Sequence, residues 1–560
     1  MSLRSAVLPA YALALSLLIT GPLLAPGYLL LRDAVSTPRS YLTDTALGLG
    51  EAAPRALPQD FFVAITSAVL DGGVVVKVLL VAGLWLAGWG AARLASTVLG
   101  SGLPGQFIAA TLAVWNPYVA ERLLQGHWSL LVGYGCLPWV AVCAFRLRTE
   151  PRSAVAWGLL FWIALAGLTP TGLMLAATVA LVCVAAPGPG WERLRVAVLA
   201  LGAAVLAATP WLVAAAVGGT VSSPESAAGV HAFAARAEPG LATLGSLAGL
   251  GGIWNGDAVP DSRATLFAVV ATVVLLGIVA LGLPVVIRNR CAVPLLILAG
   301  AAVLIPAAMA TGPGLEFVDA TIRAVPGLGV LRDGQKWVAL AMPGYVLAAA
   351  AAPVTLRRAR VPVAASAAVG CAALIAVLPD LAWGVGNQMR AVQYPPGWAA
   401  AAEQINADPR PVVALPPDSM RQFYWAGSAP VLDPLPRWLR AEVLTTGDLL
   451  IGGQVVPGEG TRARAVQDLL RSGADRQAVA DAGVGWLVVE TNGAPAKLDL
   501  PVAYRDGDIA VYRLGGDRTA SSHRSVLIAA HLVWLLALVG GAVGMAVSSW
   551  RVPGRSGQLT

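Results

Sequence analysis

Twelve apolar runs, each near the length a helix needs to cross a bilayer, punctuate this 560-residue chain. Crossing the hydrocarbon core takes about 20 residues of α-helix. Because lipid offers no partner to a bare N–H or C=O, a run of this kind crosses as a helix, which satisfies its own backbone. The runs lie near 6–26, 70–92, 103–119, 128–145, 153–169, 171–187, 196–217, 265–287, 291–311, 337–355, 361–382 and 524–549. Composition agrees: 57% of residues are hydrophobic and 12% charged, against about 25% charged in soluble domains. The expected fold is an all-α polytopic membrane protein. The net charge of +7 gives no reason to expect nucleic acid, because the basic residues must first be placed relative to the bilayer.

Basic residues gather in cytoplasmic loops. With the N-terminus inside and Arg4 as its anchor, alternate loops hold Arg93, then Arg146, Arg148 and Arg152, then Arg193 and Arg195. The same side goes on to receive Arg288 and Arg290, then Arg357, Arg358 and Arg360, then Arg551 and Arg555. Twelve spans with both termini cytoplasmic, and no cleavable leader, follow from this agreement. The expected place is the plasma membrane. Segments 27–69, 120–127, 218–264, 312–336 and 383–523 then face the extracytoplasmic side, where no ATP or nucleotide sugar is available.

Three parts are expected: a membrane region over 1–382, an outer α/β domain over 383–523, and a last span with a cytoplasmic tail over 524–560. The α/β reading comes from strand-like "PVVALPP", "VGWLVVE" and "DIAVYRL" alternating with helical "GWAAAAEQINAD" and "TRARAVQDLLRSGADRQAVADAG". The five cysteines sit in or beside apolar stretches without ligand spacing and read as small hydrophobes.

Four polar constellations fall on the outer side. Asp33 in "GYLLLRDAVS" follows the first span by a few residues. It is either an ordinary helix-end charge paired with Arg32 or a general base acting on a hydroxyl near the lipid surface. "WNPYVAERLLQGHW", Trp115 to Trp128, packs Glu121, Arg122 and His127 into one short link. Its aromatic residues fit an interfacial belt, while Arg122 suits a phosphate and His127 a phosphate or a sugar hydroxyl. In "GLGVLRDGQKWVAL", Arg332 and Lys336 share one face if the segment is α-helical. They either bind a phosphate or pair with Asp333, Glu316 or Asp319. Segment 218–264 suggests an interfacial helix around Arg236 and Glu238. The "GGIWN" that follows offers Trp254 to stack on a sugar and Asn255 to hydrogen-bond it, or else forms a re-entrant structural loop. No Walker loop, dinucleotide fingerprint, nucleophile elbow or HExxH is present.

Together the lone aspartate after span one, "WNPYVAERLLQGHW", "GGIWN" and "LRDGQKW" resemble the membrane core of the AftD arabinofuranosyltransferases of actinobacteria, within the GT-C class. The resemblance implies a GT-C-like fold and an enzyme that takes a sugar from a polyprenyl-phosphate donor. The sugar, arabinofuranose or mannose, would pass with inversion to an envelope polysaccharide or glycolipid acceptor on the outer face. It implies Asp33 as the catalytic base, with Arg122, Arg332 and Lys336 at the donor phosphate. Glu121 and His127 become acceptor or supporting contacts, alongside Trp254 and Asn255. Many GT-C proteins carry two adjacent acids in the first outer loop, whereas here Ala34 follows Asp33. A divalent cation is therefore left open, with Asp60 as a second carboxylate only if the loop folds back. The competing readings are a glycolipid flippase and a non-catalytic scaffold for envelope assembly.

Overall fold

The computed structural model describes residues 3–51, 55–218, 229–325, 327–417, 419–451, 453–490, 498–517 and 523–550. Arg551, Arg555 and the tail that holds them lie outside the described residues, as does 219–228 of the fourth constellation's segment. Every one of the twelve expected runs is helical over most of its length. Seven helices are long and apolar enough to cross a membrane: Ala6–Leu24, Gly72–Leu99, Trp128–Thr149, Arg193–Gly218, Phe267–Val286, Gly334–Arg358 and Arg524–Trp550. Two further helix pairs pass the same test only together and are bent, Val293–Met309 with Gly312–Ala324 at 92° and Val363–Ala376 with Pro379–Asn387 at 74°, the shape of a broken span or a re-entrant loop. The count is seven, or nine if each bent pair is one span. The three remaining runs form helices of 12, 14 and 14 residues, Leu103–Val114, Ser153–Ala166 and Pro170–Cys183, each short of the length of a perpendicular crossing. The molecule is a multi-pass membrane protein by its helices, with seven to nine of the twelve expected runs meeting that length among the described residues.

Small residues let the central helices approach. A Cβ on Gly135 would lie 2.2 Å from the carbonyl oxygen of Gly83, so Gly72–Leu99 and Trp128–Thr149 meet nearly backbone to backbone. One continuous apolar core runs through these helices.

The α/β unit expected on the outer side, called the outer unit for that expectation, is built on a five-stranded sheet ordered Val502–Arg505, Ile509–Arg513, Trp486–Glu490, Val412–Leu415, Val443–Leu444. Trp486–Glu490 and Val412–Leu415 run parallel, and Ile509–Arg513 antiparallel. Alternation along the strands divides them between two cores. Val412, Ala414, Trp486, Val488, Ile509 and Val511 face one, with Trp398 and Trp438. Val413, Leu487, Val489, Ala510 and Tyr512 face the other. The first core also takes in Leu30 and Val35 from just beyond the first span. Those residues belong to an antiparallel hairpin, Tyr28–Leu31 with Ala34–Val35, whose other edge pairs with Ala391–Val392. Asp33 sits in its turn, behind Arg32 at φ 48°.

Candidate active site

The local fold of "WNP" sets the site. Helix Leu103–Val114 ends at Trp115, and Asn116 restarts the chain as Pro117–Leu124. Asn116 accepts from the N–H of Val119, and its amide donates to Leu112 and Ala113 carbonyls and to the Tyr134 hydroxyl at 3.1 Å. Proline in the first turn needs no N–H partner. The short helix therefore points Glu121, Arg122 and Gln125 inward as one buried polar row. Trp115, Tyr118 and Trp128 are buried too, which corrects the expectation of an interfacial aromatic belt: they pack inside the protein.

Asp33 meets this row. His127 Nε2 lies 3.0 Å from Asp33 Oδ2, and Gln125 Nε2 donates to the same oxygen at 3.0 Å. The Asp33 N–H donates to the Gln125 carbonyl at 3.2 Å. No donor among the described residues reaches Oδ1, and the side chain is 41% exposed. Burial pushes the carboxyl up. The hydrogen bond from His127, the Gln125 amide and the Lys336 ammonium outweigh it and hold Asp33 below its usual range. Arg32 turns away, donating to the carbonyls of Leu124 at 2.6 Å and of Asp257. It forms no ion pair with Asp33, so the helix-end pairing is replaced by a separate anchoring role.

Arg122 has a fully buried side chain. Its guanidinium holds Asp333 in a fork at 2.8 and 3.0 Å, donates to Gln335, and reaches His127 Nδ1 at 3.0 Å. These contacts correct the expectation that Arg122 meets a donor phosphate: its amino groups are engaged inside the protein. Lys336 stands 3.7 Å from Asp333, and its side chain is 25% exposed. Arg332 does not share an α-helical face with Lys336. It caps one 3₁₀ turn and Lys336 lies in the next, 334–341. The Arg332 guanidinium lies 5.2 Å from the Phe233 ring centroid, and Phe233 packs edge-on against Trp254 at 4.7 Å.

Glu121 is also fully buried. Its carboxylate accepts the N–H groups of Gly252 and Ile253, each at 3.1 Å, and the Gln335 amide at 3.0 Å. Burial first, then Glu238, pushes its carboxyl up against the opposing pull of Arg263 and the Ile253 N–H. It clamps the "GGIWN" loop, and with no surface exposed it is not an acceptor contact. Asn255 donates to Gln125 Oε1 at 2.8 Å and so reaches Asp33 at one remove. No helix forms around Arg236 and Glu238. Glu238 is buried and bonded to Arg263 at 2.9 Å, because a buried carboxylate needs a partner. Asp60 pairs instead with Arg437 of the outer unit at 3.3 Å and accepts from Gln59. It has no contact with the Asp33 cluster. Among the described residues no group of three or more histidine, cysteine or acidic side chains is placed to hold a metal ion.

Each of the five segments assigned to one face contributes here. Asp33, Gln125, Asn255 and Asp333 come from the first four, and Pro430 of the outer unit accepts the Arg32 N–H at 2.9 Å.

No family model matches this chain, and no curated protein matches it. Among solved structures, one cryo-EM class of a mutant of the arabinofuranosyltransferase AftD from Mycobacteria superposes over 92% of the chain. The TM-score is 0.55 and the identity 16%. The fold is like that of AftD. A second class of the AftD mutant covers 94% of the chain at a TM-score of 0.52 and 18% identity. In both cases the chain spans 42% of the AftD chain, less than half its length.

Proposed function

We propose that this protein is an integral membrane glycosyltransferase of the GT-C type with Asp33 as its general base. The donor is a polyprenyl-phosphate-linked sugar, arabinofuranose ahead of mannose. The acceptor is an envelope polysaccharide or glycolipid. The observation that carries the reading is the Asp33 carboxylate itself. His127 and Gln125 meet it at Oδ2, while no donor among the described residues reaches Oδ1 on a partly exposed side chain. In the step, the acceptor hydroxyl oxygen attacks the anomeric carbon from the face opposite the phosphate and its proton passes to Oδ1. The carbon–oxygen bond to the carrier breaks, and the bonding pair leaves with the polyprenyl phosphate. Lys336, partly exposed beside Asp333, and Arg332 stand as the cations for that developing charge. Trp254 and Asn255 are assigned to the sugar. The active face is read as extracytoplasmic and both termini as cytoplasmic from the arginine distribution, a topology that counts the three shorter helices as crossings too, for an even total. With no three-ligand cluster among the described residues, the reading assigns no step to a divalent cation.

Two bent helix pairs are the feature a glycolipid transporter would share. Purified protein incubated with decaprenyl-phosphoryl arabinose or mannose and an envelope acceptor, with mass spectrometry of the product, tests the enzymatic reading. Asp33→Asn should abolish the new linkage while leaving insertion and carrier binding intact. Retained transfer would overturn the assignment, and unchanged lipid translocation without transfer would favour the transporter.

A further inference from the structure

We infer that Arg122 is a positioning residue that locks His127 as the neutral imidazole protonated on Nε2, so that His127 can only donate to Asp33 and cannot take a proton from it. The inference rests on the reading of Asp33 as the base.

The argument is one of donors and acceptors. A guanidinium has five N–H groups and no acceptor. Arg122 Nη1 lies 3.0 Å from His127 Nδ1, so that nitrogen must offer its lone pair. The ring hydrogen is left on Nε2, 3.0 Å from Asp33 Oδ2. Arg122 cannot turn aside to admit a second proton. It is fully buried, forked onto Asp333 and bonded to Gln335. The charged groups facing the imidazole are Asp33, Arg122 and Lys336, with Asp333 beyond. Burial first and then the two cations act against an imidazolium, and only the carboxylates favour one. In a Ser–His–Asp triad the far nitrogen donates to a carboxylate, which lets the near nitrogen receive a proton. Here the far nitrogen accepts from a cation, and the polarity is reversed. A proton taken up at Asp33 Oδ1 must then leave to water or product.

Full-length protein labelled with ¹⁵N-histidine and held in lipid nanodiscs gives four histidine signals. His127→Gln identifies the one of interest. The expected wild-type spectrum shows Nε2 protonated and Nδ1 bare from about pH 5.5 to 8, across the range where a free imidazole near 6.5 changes state. An imidazolium at neutral pH, or a proton on Nδ1, overturns the inference. In Arg122→Met, His127 should begin to titrate. The variant's kcat should fall about tenfold or more, within what a general base supplies, with the donor KM unchanged. A raised donor KM with an unaltered imidazole spectrum would overturn the inference and return Arg122 to the phosphate. If Arg122→Met does not fold, the wild-type spectrum decides, together with His127→Gln retaining more activity than His127→Leu because the amide can still donate. Wild-type protein that gives the expected spectrum but transfers no sugar supports the tautomer lock and counts against the glycosyltransferase reading.

Discussion

A Cβ placed on Gly126 would lie 2.3 Å from the backbone nitrogen of Ala34. Gly126 also adopts φ +84°, so the turn between Gln125 and His127 both curls left-handed and lies flat against the turn that presents Asp33. Only glycine meets both conditions. Gly126→Ala should therefore separate Asp33 from its two donors. We expect a loss of about 1–3 kcal/mol from strain and transfer reduced far beyond that loss. Thermal unfolding in detergent measured alongside kcat checks this, and a variant with normal kcat would contradict it.

The depressed Asp33 carboxyl gives a signed pH prediction. A base whose folded pKa lies below the unfolded value, about 3.9, stays ionised as pH falls, so kcat/KM should hold level into acid and drop only below the ordinary carboxylate range. Its contribution to stability runs the same way, present above the unfolded pKa and lost as pH falls through the folded one. His127→Leu removes a donor while leaving the burial, so the acid limb should move to higher pH. A limb that stays put would show that His127 does not hold the carboxylate.

Lys336→Ala and Arg332→Ala should raise the KM for donor more than that for acceptor. The supporting geometry is the partly exposed Lys336 side chain and the Arg332 guanidinium above Phe233. Equal effects on both KM values would argue for a purely structural role.

Glu121→Gln places an amide NH₂ among three N–H donors, from Gly252, Ile253 and Gln335. One donor loses its acceptor in a buried place, at about 1–3 kcal/mol. The "GGIWN" loop should loosen, visible as faster hydrogen exchange at Gly252 and Ile253. Unchanged exchange there would remove Glu121 from its clamping role.

Asp60→Asn should leave transfer nearly intact. Asp60 pairs with Arg437 at a partly exposed contact worth up to about 1 kcal/mol, so the expected change is a small loss of protease resistance in the outer unit. Abolished transfer would instead place Asp60 at the chemistry.

Much of this was legible in the chain. Apolar runs are long, and length survives without knowledge of packing, so all twelve runs were found as helices. Crossing length depends on where a helix stops. "WNP" stops one at Val114 and "GPG" bends another at Gly312, which cuts the count of full-length crossings. Three of the five sheet strands are readable where strand-like runs alternate with helical ones, while Val443–Leu444 and Val502–Arg505 carry no such signal. What sequence could not supply was who faces whom. Arg122 was expected at a phosphate because a cation beside aromatics is ambiguous until its partners are seen, and Asp333 lies 211 positions away. Gln125 and Gln335 give no warning of their place in the site, because an amide carries no signal of its own.

Tyr28–Leu31 is hydrogen-bonded on one edge to Ala391–Val392, so the strand leading into Asp33 and the entry to the outer unit share a sheet. The outer unit is thus no detachable cassette. Grafting another in its place would have to reproduce that edge, and cutting the chain before residue 391 would release the carboxylate along with the unit.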